Sequence, residues 1–194
     1  RPALSEGPTG WSMQAGGLAA VWANENSRAA ILDSFKRRET YATTGPRIIL
    51  RVFAGFGFTD KDLTSENFAA LGYAGGVPMG GLLTAEKEKA NPVFLIKAEK
   101  DPLSANLDRI QIIKGWLDSE GNSQEKIYNV GWSGGRSLNA DGSLTAVGDT
   151  VDSNTGSYTN EIGAPYLTAI WTDPDFNSDE SSFYYIRVLE IPTP

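Results

Sequence analysis

The sequence predicts a mainly β protein: an antiparallel β-sandwich preceded by a short strand and helix of α/β character. Segments rich in β-branched and aromatic residues recur from Glu39 onward. Gly, Pro, Asn, Asp and Ser punctuate them. The strand–helix opening before Glu39 is the one α/β-like portion of the chain.

Arg1 to Gly10 carries Pro and Gly without periodicity and is expected to be a strap. Gly17 to Ala23 is a short apolar run bounded by Gly-Gly and Asn24-Glu25-Asn26, the pattern of a buried strand. Ser27 is a fitting N-cap, and Ala30, Ile31, Leu32 and Phe35 form the apolar stripe of a helix. It ends in Lys36-Arg37-Arg38, which suits the negative end of the helix dipole. Strands follow at Ile48–Phe53, Val93–Ala98, Ile110–Trp116, Ile127–Trp132 and Phe183–Leu189, with others expected at Gly156–Asn160 and near Leu167–Trp171. Thr64 to Leu71 is expected to give one or two helical turns. It leads into Gly72–Gly81, whose glycines require positive φ or a close approach. Two units are therefore expected, 1–38 and 39–194.

The 194 residues can bury a sizeable core, and 40% hydrophobic with 21% charged residues is ordinary globular composition. The zeros are more informative. Without His or Cys the chain holds no Ser-His-Asp or Cys-His nucleophile, zinc finger, iron–sulfur cluster or disulfide. A net charge of −7 and the lack of a basic face argue against a nucleic-acid partner. No apolar run approaches the ~20 residues of a membrane-spanning helix. The start at Arg1 is read as the product of something longer.

Asp173, Asp175, Asn177 and Asp179 present oxygens at alternate positions, as the first half of a calcium loop does. They are the candidate metal ligands, although Ser178 and Tyr184 stand where such a loop needs Gly and Glu. Asp118 and Glu120 read as a hairpin turn around Gly121-Asn122. The five Trp, with seven Tyr, are candidates for a sugar-stacking platform, but Trp22, Trp116, Trp132 and Trp171 sit in apolar strand contexts that favour the core. Gly131-Trp132-Ser133-Gly134-Gly135 lacks both the spacing of a nucleophile elbow and a His to activate Ser133. Gly75–Gly81 has no Lys-Ser/Thr and is not a phosphate loop.

Several blocks together resemble the C-terminal third of a bacterial family, number 3604 among the domains of unknown function. They are Gly17–Ala23, Glu25–Arg28, Arg37–Arg47, Gly76–Gly81, Ala105–Trp116, Thr159–Ala164, Trp171–Phe176 and Phe183–Pro192. That family is similar to the polymerase-and-histidinol-phosphatase (PHP) superfamily of metal-dependent hydrolases. The resemblance implies divalent metal ions bound upstream of this chain, with no cofactor in the chain itself. It also implies a catalytic domain of the same parent chain as partner, and export to the periplasm or medium. Residues 17–38 would be the last strand and helix of a PHP-like barrel, and Thr40–Gly45 the crossing into the sandwich. Arg28, Tyr41, Thr43 and Thr44, at the rim, are the implied substrate-binding residues; no catalytic residue is implied. An orphaned barrel strand seeks a partner, so residues 17–35 are expected to fold back on the sandwich or to form a homodimer contact. Two functions follow: an accessory, noncatalytic portion of a phosphoesterase-like hydrolase, or a stand-alone module binding carbohydrate or protein.

Overall fold

The computed structural model describes residues 16–84 and 91–194; the expected strap at 1–10 and Trp11 lie outside them. The described chain runs β1 (Leu18–Val21), α1 (Arg28–Arg37), β2 (Thr40–Thr43), β3 (Ile49–Gly55), α2 (Asp60–Leu63), α3 (Phe68–Gly75), β4 (Gly76–Pro78), β5 (Val93–Glu99), β6 (Leu107–Leu117), β7 (Ser123–Trp132), β8 (Tyr166–Thr172) and β9 (Ser182–Glu190). All strand pairs are antiparallel. They form a ribbon β1-β2, a sheet β4-β3-β5-β8 and a sheet β7-β6-β9.

Side-chain parity organises the layers. Leu50 and Val52 of β3, Phe94, Ile96 and Ala98 of β5, and Leu167 and Ala169 of β8 face the second sheet. There they meet Leu107, Ile110 and Ile112 of β6, with Ile186 and Val188 of β9 packed alongside. The opposite parity of the first sheet gives Phe53, Val93 and Leu95, which are covered by Phe58 from the segment before α2 and Phe68 from α3. The protein is thus a sandwich with a helical cap on one outer face, which is why β3 and β5 are almost continuously buried. Gly72 of α3 permits the cap to close, because a Cβ there would lie 2.3 Å from the Phe53 ring.

The sandwich and its antiparallel strands agree with the sequence expectation. The Asp118–Asn122 hairpin joins β6 to β7, with Gly121 at φ 84° and Asp118 Oδ1 accepting the amides of Glu120 and Asn122. The strand expected at Gly156–Asn160 does not form. Gly156 ends a turn, Ser157 makes only the isolated bridge Asp152↔Ser157, and Tyr158 to Asn160 are irregular. Asp152 Oδ1 accepts the Asn154 amide, a local turn that competes with strand pairing.

The ribbon also departs from expectation. Ser27 caps α1 by accepting the Ala30 amide at 3.2 Å, and Lys36 and Arg37 fill the last turn. Yet Leu32 and Phe35 are about half exposed (51% and 48%), and Ser34 is the only fully buried residue of the helix. β1 is likewise exposed at its start rather than buried. Register Leu18↔Thr43 to Val21↔Thr40 pairs β1 with β2 across the expected 38/39 boundary.

A buried charge ties this ribbon to the sandwich. Arg51, on the outward parity of β3, lies 3.0 Å through Nη1 from Oε1 of Glu39, which is 1% exposed. Its Nη2 donates to the Tyr73 hydroxyl at 2.6 Å, and that hydroxyl donates to Glu39. The guanidinium lies 4.2 Å from the Trp22 ring centroid. Trp22 Nε1 in turn donates to the Leu50 carbonyl at 2.9 Å. Ribbon, α3 and β3 therefore share one network. Removing one partner of a buried pair leaves an uncompensated charge, costing about 3–5 kcal/mol. Glu39→Ala is expected to lower unfolding free energy by about 3 kcal/mol in urea denaturation. Arg51→Ala should cost a similar amount and the double variant far less than the sum; additive losses would show that the pair does not act as a unit.

Candidate functional site

The free edges of two sheets face each other across a cleft of about 590 Å³. Among the described residues, β2 pairs only with β1, and β9 only with β6. One wall is Tyr41 to Thr44, continuing through Pro46, Ile48 and Leu50; the other runs from Ile186 to Thr193. This volume falls in the small-molecule range, and the mixture of apolar walls with a few polar groups is the usual composition of a binding site.

Two atoms on these walls lack partners among the described residues. Thr43 Oγ1 and Glu190 Oε1 are both shielded from solvent without a hydrogen bond. A buried polar atom left in that state costs roughly 1–3 kcal/mol. Burial pushes the Glu190 carboxyl above the ordinary range; a hydrogen bond from Ser104 opposes this, Asp101 adds to it, and Lys100 opposes it. Burial also raises the Tyr41 phenol, against a backbone hydrogen bond at Leu50.

Tyr41, Thr43 and Thr44 thus lie together on the cleft wall. Arg28 does not join them: it is exposed at the first residue of α1 and is not among the lining residues. Glu190 was missed by the motif reading. Its signal is parity: Tyr184, Ile186 and Val188 all pack against the core, so the next even position also turns inward.

The Asp173–Glu180 loop makes a different arrangement. Asp173 is fully buried, and its Oδ2 takes hydrogen bonds from Lys114 Nζ at 2.7 Å and the Tyr184 hydroxyl at 2.6 Å. Oδ1 takes the Asp175 amide at 2.9 Å. The Asp175 carboxylate is held by Lys126 Nζ and the Tyr128 hydroxyl, each at 2.5 Å. Asn177 Oδ1 accepts the Asp179 amide at 3.1 Å. Asp173, Asp175 and Asn177 thus direct side-chain oxygens to the protein, Asp179 is exposed, and no group of three or more acidic side chains suited to a metal occurs among the described residues. What the loop does is anchor: Lys114, inside the sandwich, also donates to the Asp175 carbonyl at 2.7 Å. Burial, reinforced by the Asp175 and Asp173 carboxylates respectively, pushes the phenols of Tyr128 and Tyr184 upward.

The described tryptophans do not make a platform. Trp22 and Trp132 donate their indole N–H groups to backbone carbonyls, Trp171 packs on Phe94 and Tyr128, and all four described Trp are half-buried.

The Lys126 ammonium, followed by the Tyr128 hydroxyl, lowers the Asp175 pKa from the ordinary 3.8. Its stabilising contribution is present above 3.8 and is lost as pH falls through the depressed folded value. Carboxyl-carbon NMR titration is expected to place Asp175 below a free aspartate and to move it back upward in Lys126→Met. An unshifted value in that variant would remove Lys126 as the cause.

A family model described as Protein of unknown function (DUF3604) matches residues 3–194. No curated protein matches the chain. No solved structure matches it either.

Proposed function

The chain belongs to the DUF3604 family of proteins of unknown function, and from that premise we propose that it is the accessory β-sandwich portion of a larger PHP-like, phosphoesterase-like metal-dependent hydrolase. It is not catalytic on its own. The observation that carries this reading is the unpartnered apolar surface of the ribbon. Leu18 (41%), Leu32 (51%) and Phe35 (48%) are exposed on one short strand and its following helix. The outer edge of β1 has no neighbour among the described residues. Such an edge beside exposed apolar side chains is the form of a surface that another domain covers.

Division of labour follows from composition. A hydrolytic metal centre draws its ligands from His, Asp and Glu. This chain has no His, and the carboxylates of Asp173 and Asp175 already hold protein cations, so its described residues do not fit such a centre. The chain's own part is mechanical. The Glu39–Arg51 pair fixes the ribbon's orientation on the sandwich, and hence the orientation of whatever covers Leu32 and Phe35. The rim residues Tyr41, Thr43 and Thr44 then stand on a cleft beside that junction.

The test uses the parent protein with its natural upstream region. Loaded with Mn²⁺, it is expected to hydrolyse bis(p-nitrophenyl) phosphate and to lose that activity with EDTA, while the present chain alone shows none. The double substitution Leu32→Glu and Phe35→Glu is expected to lower the parent's melting temperature by several degrees, about 1–2 kcal/mol, and to leave the isolated chain unchanged. A native product of 20.9 kDa by intact mass, or an unshifted parent melt with those substitutions, would overturn the reading. An oligomer of the isolated chain that dissociates on the same substitutions would identify a second copy as the covering partner instead.

A further inference from the structure

We propose that the outer face of the sheet β7-β6-β9 binds the pyranose rings of a neutral, β-linked oligosaccharide, with Phe183 and Tyr185 as the stacking residues. Ile112 and Lys114 point into the sandwich, so the odd-numbered residues around them on β6 face outward. Register sets this face in rows. Gln111 stands between Asn129 and Arg187, Ile113 between Ile127 and Tyr185, and Gly115 between Glu125 and Phe183. Side-chain contacts tie the rows together: Gln111 Nε2 donates to Asn129 Oδ1 at 3.0 Å, and Arg187 Nη2 to the Tyr185 hydroxyl at 3.4 Å. Gly115 gives Phe183 its pose. A Cβ at Gly115 would lie 2.4 Å from Cε1 and Cζ of the ring, so the distal half of the ring lies over the backbone of β6. Phe183 is nonetheless 62% exposed and Tyr185 42%. Two aromatic surfaces therefore meet solvent about 7 Å apart along one strand.

The composition of the face selects the ligand. A pyranose with equatorial substituents carries C–H groups on its flat sides and hydroxyls around its rim. Those C–H groups are positively polarised and suit the negative face of an aromatic ring. The carboxamides of Gln111 and Asn129 both donate and accept, and Arg187 donates, which is the mixed complement that sugar hydroxyls need. Asn129 Nδ2 also donates to the Gly142 carbonyl at 3.0 Å, so the 139–143 turn borders this polar row. Within the three rows Glu125 and Arg187 carry opposite charges at opposite corners, an arrangement that favours neither a polyanion nor a polycation. A protein partner needs more surface than this. At roughly 150–250 Å² for a whole aromatic side chain, Phe183 and Tyr185 together expose roughly 200 Å², against about 800 Å² per partner in a standard interface.

The experiment titrates the isotope-labelled chain with cellotetraose at pH 7, followed by aromatic and amide NMR shifts. Sorbitol, which has the hydroxyls without the ring, is the control. The expected dissociation constant is about 1 mM, with shifts at Phe183, Tyr185 and Gly115 that sorbitol does not reproduce. Phe183→Ala and Tyr185→Ala are each expected to weaken binding about fivefold, whereas Tyr185→Phe keeps both the ring and the affinity. Gly115→Ala keeps both rings but lifts Phe183 off the backbone, and is expected to weaken binding about threefold. Melting temperatures are checked for every variant; if a variant at Phe183 or Gly115 fails to fold, Tyr185→Ala against Tyr185→Phe decides. No shift at about ten times the expected dissociation constant, an equal response to sorbitol, shifts that map outside this face, or unchanged affinity in a folded alanine variant would overturn the proposal.

Discussion

Burying a guanidinium is expensive, and the architecture is arranged around one that is buried. Arg51 sits on a central strand among Phe53, Tyr73 and Trp22, where an unpaired charge would not be tolerated. Its carboxylate comes from Glu39, the residue that follows the left-handed cap of α1. Arg38 takes φ 60°, and this reversal brings the Glu39 amide to the Ser34 carbonyl at 3.0 Å. A helix terminus thereby delivers the counter-charge to the sandwich. Since Tyr73 of α3 completes the network, the ribbon and the helical cap are oriented by a single residue of β3.

A second buried pair works at the other side of the sandwich. Lys114 stands on the inward parity of β6, in line with Ile110 and Ile112, and is 2% exposed. Asp173 closes on it from the end of β8, and Tyr184 reaches the same carboxylate from β9. One ammonium thus links three strands drawn from both sheets. Pairs of this kind contribute modestly to stability, because desolvation offsets most of the attraction. Their geometric demand is what matters here. Sheets that slid against each other would leave Lys114 without a partner, so the ion pair selects one alignment of the two sheets.

The elements were legible because each carries its own periodicity. Ile110, Ile112 and Lys114 alternate visibly, and Ser27 with Lys36-Arg37 marks both ends of α1. Gly156–Asn160 misled because β-prone Tyr158 and Thr159 lie among Asx turns whose local hydrogen bonds win over pairing. The exposure of α1 was hidden for a different reason. Periodicity shows that a helix has an apolar face without showing what covers it. The cleft was legible only in part. Tyr41, Thr43 and Thr44 are close in sequence, whereas Glu190 arrives from the far end of the chain through the pairing of β9 with β6. The loop 173–180 was read as a donor set because sequence spacing displays oxygens but not the lysines that face them.

That pairing has a consequence for how the protein is made. β6 meets β7 through a tight hairpin, but its other edge waits for β9, with Leu107 opposite Glu190 and Trp116 opposite Ser182. Synthesis is vectorial, so a nascent chain holds β6 half-paired while the intervening loops and β8 emerge. The closing contact is remote in sequence and costs loop entropy before it returns any burial. Completion of the second sheet therefore waits for β9 to emerge. Until then Ile110 and Ile112 lie next to a bare strand edge, the condition in which chains pair with one another instead of with themselves.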